Sequence, residues 1–151
     1  MSGLLILLLL LIPAVAIARS RNRKDSNYDV IADSEYAPYA AWIVAQARHE
    51  SANFSSYVYR TDNNPFGIKW YSDKVSMGTK GVKASDGGNY THFENDTVAF
   101  KALLAWLRRH KIPTNLTTVD QYAQALRDEG YYTDSVSNYA SALRRWLNYK
   151  P

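Results

Sequence analysis

Glu50 sits where a carboxyl group could do chemistry. Tyr39, Ile43, Ala47 and Glu50 stand at i, i+4, i+8 and i+11, with Gln46 beside them, which is the spacing of one face of an α-helix. Glu50 therefore falls in the last turn of that predicted helix. Unpaired carbonyls there carry partial negative charge, and apolar neighbours withdraw water, so both effects penalise the ionised carboxyl and favour the protonated one. A carboxyl group that keeps its proton toward neutral pH can donate it to a leaving glycosidic oxygen. The plainer reading is a solvated carboxylate at a frayed helix end.

A block of turn-forming residues follows: Asn63, Asn64, Pro65, Phe66, Gly67, Ile68 and Lys69. The Asn side chains can satisfy turn backbone or offer amides to a ligand, and Gly67 permits close backbone approach. Together with Gln46, Ala47, Glu50 and Ser51, this block resembles the glucosaminidase domain of bacterial and phage peptidoglycan hydrolases, glycoside hydrolase family 73, which has autolysin and flagellar-rod members. In that family a Gln-Ala, two residues, Glu-Ser segment precedes an Asn-x-Phe-Gly-Ile-Lys block, matched here by Asn64 to Lys69. A third match is Gly130, Tyr131, Tyr132, Thr133 and Asp134, similar to the family's Gly-Tyr-x-Thr-Asp motif, with Tyr139 following. The likeness covers about Pro38 to Leu147. It departs after Ser51, where the family has Gly-Trp-Gly and this chain has Ala52, Asn53 and Phe54.

The resemblance implies a peptidoglycan hydrolase that cleaves the β-1,4 bond of the alternating N-acetylglucosamine and N-acetylmuramic acid strand, with Glu50 as general acid. It also implies a part in activity for Tyr131, which the residue type alone leaves open between a positioning hydroxyl and a core aromatic. A glycosidase commonly needs a second carboxyl group. Asp86 is the first candidate, although Asp before two glycines is ordinary turn chemistry; Glu94 and Asp62 are weaker ones. Substrate assistance by the sugar's own acetamido carbonyl would dispense with that group. Gln46, Asn64, Phe66, Gly67, Lys69, Trp70 and Tyr132 are the expected substrate contacts, from motif context and the stacking of aromatic faces on sugars. Asp134 is expected to cap a helix and hold the Tyr131 loop. The rival reading is a non-catalytic glycan-binding or membrane-tethered structural protein of an envelope or virion, and a lytic transglycosylase is an alternative within the enzyme class.

Composition bounds these readings. The 151 residues suffice for one domain with a real core, and the absence of cysteine removes disulfides and thiolate metal sites. Four basic and two acidic residues in 1–32 leave +2, and fourteen basic against twelve acidic residues from Asp33 onward leave the other +2 of the net +4. So balanced a domain predicts no nucleic-acid surface. His49, His92 and His110 predict no metal: His49 points away from the Glu50 stripe, and His110 lies among Arg108, Arg109 and Lys111. No cofactor is expected.

These residues must be positioned by an α+β domain over 34–151, mostly helical and lysozyme-like, with a small irregular β-lobe and a cleft between lobes. One helix starts near Ser34 or Ala37, with Pro38 in its first turn. Tyr57, Val58 and Tyr59 favour extended structure, as do Ile68, Trp70 and Tyr71, and Asp86-Gly87-Gly88 predicts a hairpin turn into Tyr90 to Phe93. Asp96 or Thr97 caps a helix carrying Phe100, Leu103, Leu104 and Leu107, and Thr118 with Gln121 forms a capping box for a helix stopped at Gly130. A last helix from about Ser137 buries Tyr139, Ala142, Leu143, Trp146 and Leu147. Ahead of the domain, residues 1–18 form an apolar leader and 19–33 a polar, basic tether. The apolar run Leu4–Ala18 would span roughly 22 Å as helix, short of the ~30 Å hydrocarbon layer, and reads as a signal anchor or export signal. The expected setting is membrane-associated through residues 4–18 and facing the cell wall, or exported or virion-borne, as a monomeric domain.

Overall fold

The computed structural model describes residues 28–150. Along the chain come α1 (Tyr28–Ala32), a 3-10 turn (Ala37–Tyr39), α2 (Ala40–Glu50), α3 (Tyr57–Asp62), α4 (Asp73–Ser76), β1 (Thr79–Lys83), β2 (Asn89–His92), α5 (Asp96–Arg109), α6 (Val119–Asp128) and α7 (Val136–Leu147). It is an α+β fold with one two-stranded antiparallel sheet. The helices pack α2 on α7, α7 on α6 and α1 on α5, while the sheet rests against α3. Their shared core holds Ile31, Tyr39, Ile43, Phe66, Leu103, Leu107, Tyr122, Leu126, Tyr139 and Leu143.

Ile31 corrects the tether. The charges of 19–33 suggest a solvated segment, yet residues 28–32 are helical and Ile31 is fully buried, so the packed domain begins ahead of residue 34. Pro38 occupies the 3-10 turn rather than the α-helix, which starts only at Ala40. Hydroxyls then lock this entry to the far side of the fold. Tyr36 donates to the Ile112 carbonyl (3.2 Å), while Tyr39 donates to the Pro113 carbonyl (3.0 Å) and accepts from the Leu116 amide (2.6 Å).

Tyr57 to Tyr59 is helix, not strand. Ser56 caps it by accepting from the Tyr59 amide, and Tyr59 packs its ring edge on Phe54 and donates its hydroxyl to Asp96 (2.9 Å), so capping and tertiary contact override β propensity. The hairpin forms where Asp86-Gly87-Gly88 predicts it. Thr79 faces His92, Lys80 faces Thr91 and Lys83 faces Asn89, with an irregularity between Lys80 and Lys83. The segment before α4 joins as a partial third edge through the Lys69–Tyr90 bridge.

Two caps lie one residue from their expected places. Asn95, not Asp96 or Thr97, accepts from the Val98 amide to start α5, and Ser135, not Asp134, accepts from the Asn138 amide to start α7. Asp134 instead accepts from the Ser135 amide and from Asn138 Nδ2, so it braces the cap. The Thr118–Gln121 capping box is present as predicted, and Gly130 follows the end of α6 at φ +73°. Leu147, expected in the core, is exposed. The apolar leader lies outside the described residues, among which no helix is long and apolar enough to cross a membrane.

Candidate active site

Glu50 is the last residue of α2, and the chain leaves it through an unusual turn. Ala52, Asn53 and Phe54 have φ values of 50°, 56° and 62°, the left-handed region that side chains disfavour and glycine does not. Ser51 makes this possible. Its buried hydroxyl donates to the Ala47 carbonyl (2.6 Å) and accepts from the Phe54 amide (2.8 Å), and its carbonyl accepts from the Ser55 and Ser56 amides. The turn thus adopts the geometry of a glycine-bearing sequence without glycine.

The Glu50 carboxyl is half-buried. Burial pushes its pKa up, opposed by the Tyr139 hydroxyl, which donates to Oε1 at 2.7 Å and favours the ionised form. Tyr139 comes from α7, and its ring stacks on Tyr132 with centroids 3.8 Å apart and planes 8° off parallel. His49 meets the same ring edge-on at 5.3 Å. The Tyr139 hydroxyl thus reaches Glu50 from a ring clamped on two sides. With one hydrogen bond on Oε1, the other oxygen is the one left to carry the proton.

Tyr131 lines the neighbouring groove and feels the charge of this carboxyl. Its hydroxyl donates to the Phe66 carbonyl (2.9 Å), its ring stands edge-on to Trp106 (5.0 Å), and its acidity is suppressed first by burial and next by the negative charge of Glu50. The groove, about 560 Å³, lies between the Phe66–Ser76 segment and α5, with the Glu129–Tyr131 turn at one end. Of the predicted site residues, Phe66, Gly67, Lys69 and Tyr131 line it. Glu50 is not among its lining residues, and its charge is felt there by Tyr131.

The other predicted residues have different places. Gln46 is fully buried in α2, where its Oε1 accepts from Tyr122 (2.6 Å) and its side chain also favours the ionised form of Tyr131. Asn64 is also buried. Its Nδ2 donates to the Ile68 and Thr91 carbonyls, and its Oδ1 accepts from the Phe66 and Ile68 amides, so it fastens the Phe66–Lys69 loop to β2. Expected to touch substrate, both are enclosed by protein and hold the framework instead. Tyr132 donates to the Ala123 carbonyl (2.8 Å) and supports Tyr139, and Trp70 donates from Nε1 to Asp73 (3.0 Å); neither lines the groove. Asp86 sits exposed between β1 and β2 and is bound by the Lys69 ammonium, which holds its carboxyl below the usual range. Asp62 is buried beneath β1, where it accepts from the Val82 amide (2.9 Å) and contacts His92 Nδ1 (3.2 Å).

Tyr139 is the partner that sequence reasoning left among the core aromatics. Its place just beyond the Gly-Tyr-x-Thr-Asp motif was the available signal. Trp106 of α5 is half-buried in the groove wall and stacks on His110 at 4.0 Å. Among the described residues no group of three or more His, Cys, Asp or Glu side chains is placed to hold a metal ion.

Compared with known proteins, residues 27–150 match the family model described as Glucosaminidase, mannosyl-glycoprotein endo-beta-N-acetylglucosaminidase. Neither the curated proteins nor the solved structures gave a match.

Proposed function

This chain belongs to the glucosaminidase family of glycoside hydrolases, and on that premise we propose that it cleaves the β-1,4 bond after N-acetylglucosamine in the peptidoglycan strand. Glu50 is the general acid in this reading. The observation that carries it is the half-buried Glu50 carboxyl, its pKa raised by burial and held through one oxygen by Tyr139, with its charge felt by the groove-lining Tyr131.

Glu50 gives its proton to the glycosidic oxygen as the bond from the anomeric carbon to that oxygen breaks. The leaving chain keeps the proton as a new hydroxyl. Asp86 is a poor nucleophile or base here, because Lys69 stabilises its carboxylate and lowers its basicity, and Asp62 is spent on backbone and His92. The acetamido carbonyl oxygen of the N-acetylglucosamine therefore attacks its own anomeric carbon and closes a five-membered ring. Water deprotonated by Glu50 then opens that ring and restores the acid. The domain works as a monomer on the wall side of the membrane.

The test is digestion of purified sacculi by the full chain, with mass spectrometry of the products. New reducing-end N-acetylglucosamine is expected, and Glu50→Gln lowers the rate by at least about a hundredfold. A folded Glu50→Gln protein of undiminished activity would remove Glu50 from the chemistry, and an anhydro product would reassign the enzyme to lytic transglycosylases.

A further inference from the structure

The basic side chains around the groove are unequally committed. In the run that ends α5, Arg108 pairs with Glu35 through two hydrogen bonds of 2.6 and 2.7 Å, and His110 contacts Glu129 at 3.2 Å. Arg109, between them, is exposed, lines the groove, and has no carboxylate partner among the described residues. On the opposite wall Lys69 is shared between Asp86 and the Tyr90 ring, 4.5 Å from its centroid. The carboxylate in the lining, Glu129, is the one His110 engages. The groove therefore presents a guanidinium that no carboxylate engages among the described residues, and Trp106 lines the same groove. Such a site favours an anion, and a carboxylate fits the planar fork of arginine.

An intact glycan strand carries little charge of its own, because N-acetylglucosamine is neutral and the lactyl carboxyl of each muramic acid is tied up in an amide to the peptide stem. The carboxylates of the substrate lie on that stem. We propose that Arg109 is a specificity residue that binds a carboxylate of the peptide stem, so that the groove reads the peptide as well as the sugar. This rests on the reading that the groove receives peptidoglycan. The protein then prefers strands whose stems keep their free carboxylates.

The experiment compares native sacculi with sacculi whose carboxylates have been converted to methylamides by carbodiimide and excess methylamine, using the full chain and its Arg109→Ala and Arg109→Lys variants. An exposed ion pair of this kind changes affinity by roughly fivefold or less. Methylamidation is expected to raise the wild-type KM by about that factor, and Arg109→Ala to raise it on native sacculi by a similar factor while becoming indifferent to methylamidation. Arg109→Lys restores part of the difference. Equal losses by Arg109→Ala on both substrates, or none on either, would overturn the assignment. So would a wild type that ignores methylamidation and weakens only when wall phosphate polymers are stripped, which would make the anion a phosphate. A second arm titrates a soluble stem peptide against tryptophan fluorescence and needs no turnover. If no sacculus is cut yet the peptide binds wild type about fivefold tighter than Arg109→Ala, the hydrolase reading fails and the peptide site stands; equal affinities remove the site.

Discussion

Tyr139→Phe deletes one hydroxyl and keeps the ring, so the stack on Tyr132 and the edge contact with His49 survive. What is lost is the 2.7 Å donation to Glu50 Oε1. Two influences set the proton affinity of Glu50: burial raises its pKa, and the Tyr139 hydroxyl lowers it by stabilising the carboxylate. Removing the second leaves the first unopposed. A hydrogen bond to a charged group contributes roughly 1.5–3 kcal/mol, and the water that can replace it at a half-exposed carboxyl returns part of that. A net loss of about 1.4 kcal/mol to the ionised form moves the titration upward by about one pH unit. In the pH profile of reducing-end release, the basic limb of kcat, where the acid loses its proton, should therefore shift to higher pH by about that amount. The rate at the optimum should fall about tenfold as the carboxyl loses its fixed orientation. The thermal unfolding midpoint of the variant, measured alongside, should fall by only a few degrees, which is what that same loss is worth in the folded state. A basic limb that stays in place or moves to lower pH, with the fold intact, would refute this account of how Glu50 keeps its proton.

Glu50→Gln has a stability signature as well. A carboxyl whose pKa is raised on folding contributes its stability below its unfolded value, near pH 4, and loses it as pH rises through the folded value, so the variant should gain on wild type in melting temperature as pH rises above about 4; a flat or declining difference contradicts the raised pKa. Asn64→Ala removes four hydrogen bonds, two of them buried, and should cost about 3–5 kcal/mol in urea unfolding, with a loss under 1 kcal/mol showing that the Phe66–Lys69 loop is held some other way. Gly81→Ala would place its Cβ 2.5 Å from the Asp62 carboxylate, which is buried and engaged, and should cost about 1–3 kcal/mol; an unchanged melting temperature would mean that β1 shifts freely over Asp62.

Much of the framework was legible because local chemistry and burial agree there. Thr118 and Gln121 have the reciprocal side chains that a capping box needs, and the glycines after Asp86 turn the chain where the hairpin turns. Asn95, Asp96 and Thr97 can each cap a helix, and the choice among them is made by which residues must face the core: Ala99, Phe100, Leu103 and Leu107 are buried. Tyr57 to Tyr59 misled because β propensity is a statement about packing surfaces, and here the surface is Phe54 and Asp96 rather than a neighbouring strand. The site divides in the same way. Glu50 could be found from a helical period, but its partnership with Tyr139 spans 89 residues and depends on how α2 meets α7. Polar residues in a motif, such as Gln46 and Asn64, look alike in sequence whether they meet a ligand or their own backbone.

The left-handed triplet after Ser51 also bears on the order in which the molecule folds. Each of Ala52, Asn53 and Phe54 is held in a conformation that an isolated chain avoids by about 1–2 kcal/mol per residue. The Ala52 and Asn53 amides and the Ser51 hydroxyl find acceptors only on a completed α2, the Phe54 amide bonds to that same hydroxyl, and Phe54 finds its ring partner only when Tyr59 is in place. Neither neighbour alone can hold the bend. The reactive end of α2 should therefore be among the last parts to set during folding, ordered by the tertiary contacts around it, and a nascent chain that ends before Tyr59 would carry the helix without its finished terminus.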